Sequence, residues 1–130
     1  MVRETDWAKI GRFTGISERE LTKKGLDQIE STAALLVGPG KLLDPDRLAR
    51  VYVSPRKRAV KTFELLLPTP SDVVSEKVRF TEDIAEWGYG KYEGTKDPAI
   101  RDERKKKGLD MEREWNIWID GCEQGEYVVV

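Results

Sequence analysis

The sequence contains no histidine and only one cysteine, Cys122. The missing imidazole removes the side chain that most often serves as a general base, a metal ligand or a phosphoryl acceptor. A zinc site built from cysteine and histidine is excluded for the same reason. One cysteine cannot form a disulfide within the chain, which is typical of a reducing compartment. A metal site built from carboxylates alone is left open by these counts, but no EF-hand loop pattern is present. We predict no metal and no other cofactor.

Long apolar runs and an excess of one charge are also missing. No apolar run approaches the roughly 20 residues that a membrane span needs, and residues 1–9 have no apolar signal core. The 23 basic and 24 acidic side chains leave a net charge of −1. Nothing therefore draws the whole chain to nucleic acid or to an anionic membrane. We predict a soluble, cytoplasmic protein in which any anion site is local.

What is present is an alternation of predicted strands and helices over 130 residues, the length of one domain. Thr22 caps a predicted helix over 22–37, and Asp97-Pro98 opens another that Gly108 ends. Strands are predicted over 1–3, 50–53, 77–80 and 127–130. Strands alternating with helices favour an α/β fold layered around a largely parallel sheet.

The segment from Ser54 to Thr62 has the pattern of an anion site. A strand leads directly into a helix, with Ser54 predicted as its N-cap and Pro55 as its first residue. The free N–H groups and positive dipole of such a helix end favour an anion. The planar guanidinium of Arg58, one turn in, can bind two phosphate oxygens. A solvated basic helix face is the alternative that these residues leave open.

Two further groups carry possible chemistry. Glu86 is followed by Trp87 and Tyr89, so we predict a partly apolar pocket that raises its pKa and lets it act as an acid near neutral pH. An ordinary loop glutamate is the alternative. Arg3, at the end of a short strand, is placed to face a phosphate at the mouth of an α/β sheet. Trp115 and Trp118 have a spacing that favours core packing.

Together these motifs resemble the histidine phosphatase superfamily, which has the phosphoglycerate-mutase-like fold. Residues 54–62 match its Ser-x-x-x-Arg-Ala-x-x-Thr element, and residues 86–94 match its Glu-x-x-x-Gly-x-x-Glu-Gly loop. Residues 11–15, 21–25 and 108–126 resemble the fungal subgroup similar to sedoheptulose-1,7-bisphosphatase. The resemblance implies a three-layer α/β/α fold with a mostly parallel sheet, formed by a single domain, 1–130, that is incomplete at both ends.

The resemblance also implies an activity and a set of site residues. The expected activity is hydrolysis of phosphate monoesters, with a phosphorylated sugar or inorganic phosphate as the ligand. Arg3 and Arg58 would bind the transferred phosphoryl group, and Glu86 would protonate the leaving alcohol. The pocket for the sugar phosphate would be lined by Ser54, Thr14 and Tyr89.

One departure from the family pattern affects the chemistry directly. The family nucleophile is the histidine of Arg-His-Gly-Glu-Thr, whereas Arg3 here is followed at once by Glu4 and Thr5. The simplest alignment lacks His-Gly at this point, and the family's second pocket histidine would fall beyond Val130. Neither Cys122 nor the Asp44-Pro-Asp46 segment fits another phosphatase nucleophile motif. We therefore expect impaired or absent turnover, since an imidazole is the covalent nucleophile in this family.

Three interpretations of this departure stay open. The chain is a truncated or mis-spliced form of a sugar-phosphate phosphatase, or a non-catalytic pseudophosphatase that still binds phosphate, or a residual enzyme that uses water and Glu86. The basic stretch 101–107 is interrupted by Asp102 and Glu103. This pattern favours a solvated helix over a nucleic-acid surface.

Overall fold

The computed structural model describes residues 4–67 and 76–125. The chain divides into two compact units, which we call unit 1 (Met1–Asp6 and Glu18–Ala85) and unit 2 (Trp7–Ser17 and Glu86–Val130). The predicted strands over 1–3 and 127–130, and with them Arg3, lie outside the described residues. The single domain predicted for 1–130 stays a prediction. Among the described helices, none has the length and apolar character needed to cross a membrane.

Five α-helices and two strands form the regular structure of the described residues. The helices are α1 (Asp6–Lys9), α2 (Lys23–Leu36), α3 (Lys57–Leu66), α4 (Asp97–Lys106) and α5 (Ile117–Asp120). The strands are β1 (Val51–Val53) and β2 (Val78–Phe80). Single turns of 3-10 helix occupy Pro45–Arg47, Glu82–Ile84 and Gly90–Tyr92. The short helix α1 has no counterpart among the predicted elements.

Unit 1 is built around a parallel strand pair. Val51 lies opposite Val78, and Val53 lies opposite Phe80. Parallel strands need a crossover connection, and α3 lies between these two strands in the chain. Helix α2 packs against α3, and the side chain of Ile29 is buried. This arrangement confirms the predicted α/β class and the parallel sheet.

Helix α2 begins where the sequence predicts. Thr22 is its N-cap, and the Thr22 Oγ1 atom accepts a hydrogen bond from the Gly25 amide at 3.1 Å. The backbone of Glu4 runs beside this first turn, and the Thr22 amide donates to the Glu4 carbonyl at 3.0 Å. A Cβ at position 25 would lie 2.5 Å from that carbonyl oxygen, so the close approach requires glycine.

Helix α3 begins later than predicted, and the predicted roles of Ser54 and Pro55 are wrong. The helix starts at Lys57 with Arg56 as its N-cap, and Arg56 makes no side-chain cap bond. Glu18 takes over the capping, because its Oε2 atom accepts from the Lys57 amide at 2.8 Å. A carboxylate from a distant loop thus replaces the local serine. The start of α4 also differs by one residue, since Lys96 rather than Asp97 is the N-cap.

Unit 2 is organised around a cluster of buried side chains. The cluster comprises Tyr92, Ile100, Trp115, Ile117 and Cys122, with Phe13, Trp87 and Tyr89 packed against it. Trp115 is 1% exposed, and its indole Nε1 donates to the Gly121 carbonyl at 3.2 Å. The burial of the polar indole is therefore satisfied by a hydrogen bond.

The prediction that both tryptophans pack in the core is correct for Trp115 and wrong for Trp118. Trp118 is 64% exposed, and it stacks on Trp87 with ring centroids 5.9 Å apart. Trp115 precedes the helix that contains Trp118, because Asn116 is the N-cap of α5. The helical spacing assumed between the two residues does not exist there, so they do not share a face.

Candidate phosphate-binding site

In unit 1 the predicted phosphate-binding residues lie where β1 passes into α3. Ser54 follows the last residue of β1, and Arg58 is the second residue of α3. Arg58 is 6% exposed, whereas Lys57 and Lys61 on the same helix are exposed. A guanidinium stays charged at neutral pH even when it is buried. The burial argues against a solvated basic face as the interpretation of Arg58, and the carboxyl end of a strand is where open α/β sheets bind ligands.

The positive end of α3 already has an anion beside it. Glu18 accepts from the Lys57 amide, and its Oε1 atom lies 3.9 Å from the Arg56 guanidinium. Arg56 also pairs with Glu82 at 2.9 Å. The first amide of the helix is therefore not free, contrary to the prediction. The argument for phosphate binding consequently rests on Arg58 and not on the helix dipole.

In unit 2 the structure joins Glu86 and Tyr89. The Tyr89 hydroxyl donates to the Glu86 Oε1 atom at 3.1 Å. Burial, as the main cause, raises the pKa of Tyr89 to about 12, so its hydroxyl stays a donor at neutral pH. Glu86 itself is exposed. The partly apolar pocket predicted for Glu86 is wrong, because the neighbouring rings of Trp87 and Tyr89 pack against the unit 2 core instead.

Thr14 lies on a loop, residues 14–17, that packs against the segment containing Glu86 and Tyr89. Its Oγ1 atom donates to the Arg12 carbonyl at 3.2 Å. The next residue, Gly15, approaches so closely that an added Cβ would lie 2.1 Å from the Trp87 carbonyl oxygen. The structure therefore brings the loop that contains Thr14 against Trp87 and Tyr89 within unit 2.

Sequence reasoning missed two acidic residues with clear structural roles. Glu93 accepts from the Gly15 and Ser17 amides at 2.8 and 3.0 Å, and its place in the Glu-x-x-x-Gly-x-x-Glu-Gly loop was the available signal. Glu18 had no such signal, because the amide that it caps lies 39 residues further along the chain.

The described part of the site thus consists of a buried arginine in the first turn of α3 and a hydrogen-bonded carboxylate–tyrosine pair on a loop. Residues 3–129 match the family model described as histidine phosphatase superfamily (branch 1). The chain belongs to this superfamily.

Two curated relatives are similar to the chain over most of its length. Sedoheptulose 1,7-bisphosphatase of Saccharomyces cerevisiae is 42% identical over 125 residues, which are 95% of this chain and 46% of that protein. An acid phosphatase of Mycobacterium tuberculosis is 39% identical over 125 residues, or 96% of this chain and 52% of that protein. The chain spans about half the length of these relatives. The predicted resemblance to sedoheptulose-bisphosphatase-like phosphatases is confirmed.

Solved structures show the same fold. An open reading frame product of Mycobacterium tuberculosis matches with a TM-score of 0.65 and 31% identity, covering 98% of this chain and 55% of that one. An α-ribazole phosphatase from Shigella flexneri matches with a TM-score of 0.67 over 96% of this chain and 55% of that one, at 22% identity. Both matches confirm the predicted fold family.

Proposed function

We propose that this chain is a sugar-phosphate phosphatase by descent, which binds phosphorylated sugars or inorganic phosphate and whose own turnover is impaired or absent. The main support is Arg58, a buried arginine at the start of α3 directly after β1. Guanidinium groups in such positions bind phosphate oxygens in pairs. The name of the yeast relative makes sedoheptulose 1,7-bisphosphate the candidate ligand.

Each predicted site residue has a role in this proposal. Arg58, together with Arg3, binds the phosphoryl oxygens. Glu86 is the proton donor to the leaving alcohol, and the Tyr89 hydroxyl fixes the orientation of its carboxyl group through their hydrogen bond. Ser54, Thr14 and Tyr89 are proposed to contact the sugar phosphate, as the family resemblance implies. No cofactor takes part.

The expected lack of turnover follows from the side chains available. The sequence contains no histidine, and the superfamily forms its covalent intermediate on an imidazole. Loss of a nucleophile removes several orders of magnitude in rate while leaving binding groups in place. The chain is therefore proposed to bind phosphate monoesters without hydrolysing them at an enzymatic rate.

Calorimetric titration with sedoheptulose 1,7-bisphosphate and with inorganic phosphate tests the binding. Arg58→Ala should weaken both affinities by about ten- to a hundredfold, since a charged hydrogen bond contributes about 1.5–3 kcal/mol. Arg58→Lys should lie between, because lysine keeps the charge and loses the planar fork. Lys61→Ala, on the same helix and paired with Glu64 at 3.4 Å, is the control. Equal affinities in the folded Arg58→Ala variant and the unchanged chain would refute the proposed role.

Release of inorganic phosphate from the same bisphosphate tests the turnover. We expect the chain to release phosphate no faster than buffer alone. If the unchanged chain releases phosphate and Glu86→Gln does not, water and Glu86 suffice for hydrolysis. The proposed loss of turnover would then be wrong. Release that persists in Glu86→Gln would remove this carboxyl group from the chemistry.

A further inference from the structure

We propose that Glu93 is a positioning residue, whose carboxylate holds loop 14–17 and thereby places Thr14 beside Glu86 and Tyr89. Glu93 is not assigned a contact with the ligand. The inference rests on the proposed function in one respect, namely that Thr14 and Tyr89 bind the sugar phosphate and Glu86 protonates its leaving alcohol.

The anchoring bonds are direct. One oxygen of Glu93, Oε1, accepts from the Gly15 amide at 2.8 Å and from the Ser17 amide at 3.0 Å. Amides that donate to a carboxylate form charge-assisted bonds, which are stronger than bonds to a neutral acceptor. These partners lie 78 and 76 residues away in the sequence. The bonds therefore fix the place of the loop in the fold and not a local turn.

Glu93 itself is held firmly by its neighbours. It follows the 3-10 turn Gly90–Tyr92, and its amide donates to the Gly90 carbonyl at 3.2 Å. The next amide, that of Gly94, donates to the Phe13 carbonyl at 2.8 Å. The Phe13 amide in turn donates to the Thr95 carbonyl at 3.0 Å. The backbone on both sides of Glu93 is therefore hydrogen-bonded, so its carboxylate has a defined position from which it can hold the loop.

The loop is held on its other side by the segment that contains Glu86 and Tyr89. A Cβ on Gly15 would lie 2.1 Å from the Trp87 carbonyl oxygen and 3.1 Å from the Glu93 Oε2 atom. Gly15 thus lies between the Glu93 carboxylate and the backbone of Trp87, the residue that follows Glu86. A shift of the carboxylate would move Thr14 relative to Glu86 and Tyr89.

The second oxygen of Glu93 supports a role beyond stability. Oε2 is buried and has no hydrogen-bond partner among the described residues. Burying an unpaired carboxylate oxygen costs free energy, and such groups in folded proteins call for an explanation. The bonds made by Oε1 would offset this cost if they set the geometry of a functional site.

Comparison of two ligands separates positioning from a merely structural role. In Glu93→Ala we expect affinity for sedoheptulose 1,7-bisphosphate to fall about five- to tenfold, since bonds of about 1 kcal/mol position the pocket. Affinity for inorganic phosphate should stay within about twofold, because Arg58 is held by α3 in unit 1. Glu93→Gln keeps an oxygen acceptor and should restore most of the bisphosphate affinity. An unchanged bisphosphate affinity in Glu93→Ala, or an equal loss for both ligands, would overturn the inference.

Amide hydrogen exchange keeps the inference separate from the proposed function. In Glu93→Ala the amides of Gly15 and Ser17 should exchange more than tenfold faster, whereas the Gly25 amide, bonded to Thr22, should not change. If the unchanged chain binds neither ligand, the proposed function fails. The exchange rates of the Gly15 and Ser17 amides then still test whether Glu93 holds loop 14–17. Unchanged exchange at Gly15 and Ser17 would refute the anchoring whatever the ligands do.

Discussion

At the scale of single residues, neighbours of the same chemical type have opposite environments. Lys57 and Arg58 are consecutive cations, yet Lys57 is exposed and Arg58 is buried. Successive helical residues point about 100° apart around the axis, so only one of the two can face the interior. The sequence pattern marks the pair as basic, and the packing of α3 decides that Arg58 rather than Lys57 is buried.

Trp115 and Trp118 provide a matched test of burial. Trp115→Ala should lower the free energy of unfolding by about 3–5 kcal/mol, because it removes a buried ring and leaves a cavity. Trp118→Ala should lower it by about 1 kcal/mol, the contribution expected from its stacking on Trp87. Urea unfolding followed by circular dichroism measures both. Equal losses in the two variants would contradict the assigned environments.

At the scale of secondary-structure elements, helix ends depend on partners that are remote in sequence. Thr22 caps α2 through a bond to Gly25, as its sequence predicts. The start of α3 is capped by Glu18, which no local pattern indicates. A local cap can be predicted because its geometry spans three residues, whereas a tertiary cap requires that the chain has already folded back.

Gly25 shows how a neighbouring segment reverses a helix preference. Glycine to alanine in an open helix stabilises by about 1 kcal/mol. A Cβ at position 25 would lie 2.5 Å from the backbone oxygen of Glu4. Gly25→Ala should therefore destabilise the chain by about 1–3 kcal/mol. Ser31→Ala, at an exposed position of the same helix, is the control, and urea midpoints of the two variants give the comparison. A more stable Gly25→Ala variant would contradict the close approach.

The short helix α5 depends on a carboxylate that titrates in acid. Asp120 accepts from the Arg113 guanidinium at 2.6 and 2.9 Å and from the Asn116 amide at 2.7 Å. The bond to Arg113 is the main cause that lowers the pKa of Asp120 to about 2, from a usual value of 3.8. A lowered carboxyl pKa stabilises the fold above the unfolded-state value, and this stabilisation disappears as the pH falls through the folded-state value.

We therefore expect the stability difference between the unchanged chain and Asp120→Asn to be constant above about pH 5 and to shrink between about pH 4 and 2. Thermal unfolding at a series of pH values measures the difference. The carboxyl carbon of Asp120, followed by NMR, should titrate with a midpoint near 2. A difference that stays constant through this range would show that the bond to Arg113 does not shift the pKa.

At the scale of the whole molecule, the predicted site residues belong to both units. Ser54 and Arg58 belong to unit 1, and Thr14, Glu86 and Tyr89 belong to unit 2. Arg3 lies outside the described residues. The family motifs predict roles for all six positions, but they do not indicate that Glu86 is exposed or that Glu93 bonds to the loop of Thr14. Such features depend on contacts between segments far apart in the sequence.

Inserting His-Gly between Arg3 and Glu4 tests the account of the missing nucleophile. With a phosphate-labelled sugar ester, the phosphoryl group should pass from the ester oxygen to the new imidazole nitrogen, while the alcohol leaves with a proton from Glu86. We expect acid-labile label on the His-Gly variant, because phosphorus bonded to imidazole nitrogen is readily hydrolysed in acid. An Ala-Gly insertion is the control. Equal labelling of both variants, or labelling of neither while binding persists, would contradict the account.

The sequence by itself determined the superfamily, the α/β class, the start of α2 and the absence of any imidazole. These depend on residue identity and on short spacings, which a linear pattern contains. Only the tertiary structure decided that Glu18 caps α3, that Arg58 rather than Lys57 is buried, and that Glu93 holds loop 14–17. Each of these depends on distances between segments that lie tens of residues apart, and such distances are fixed only when the chain packs.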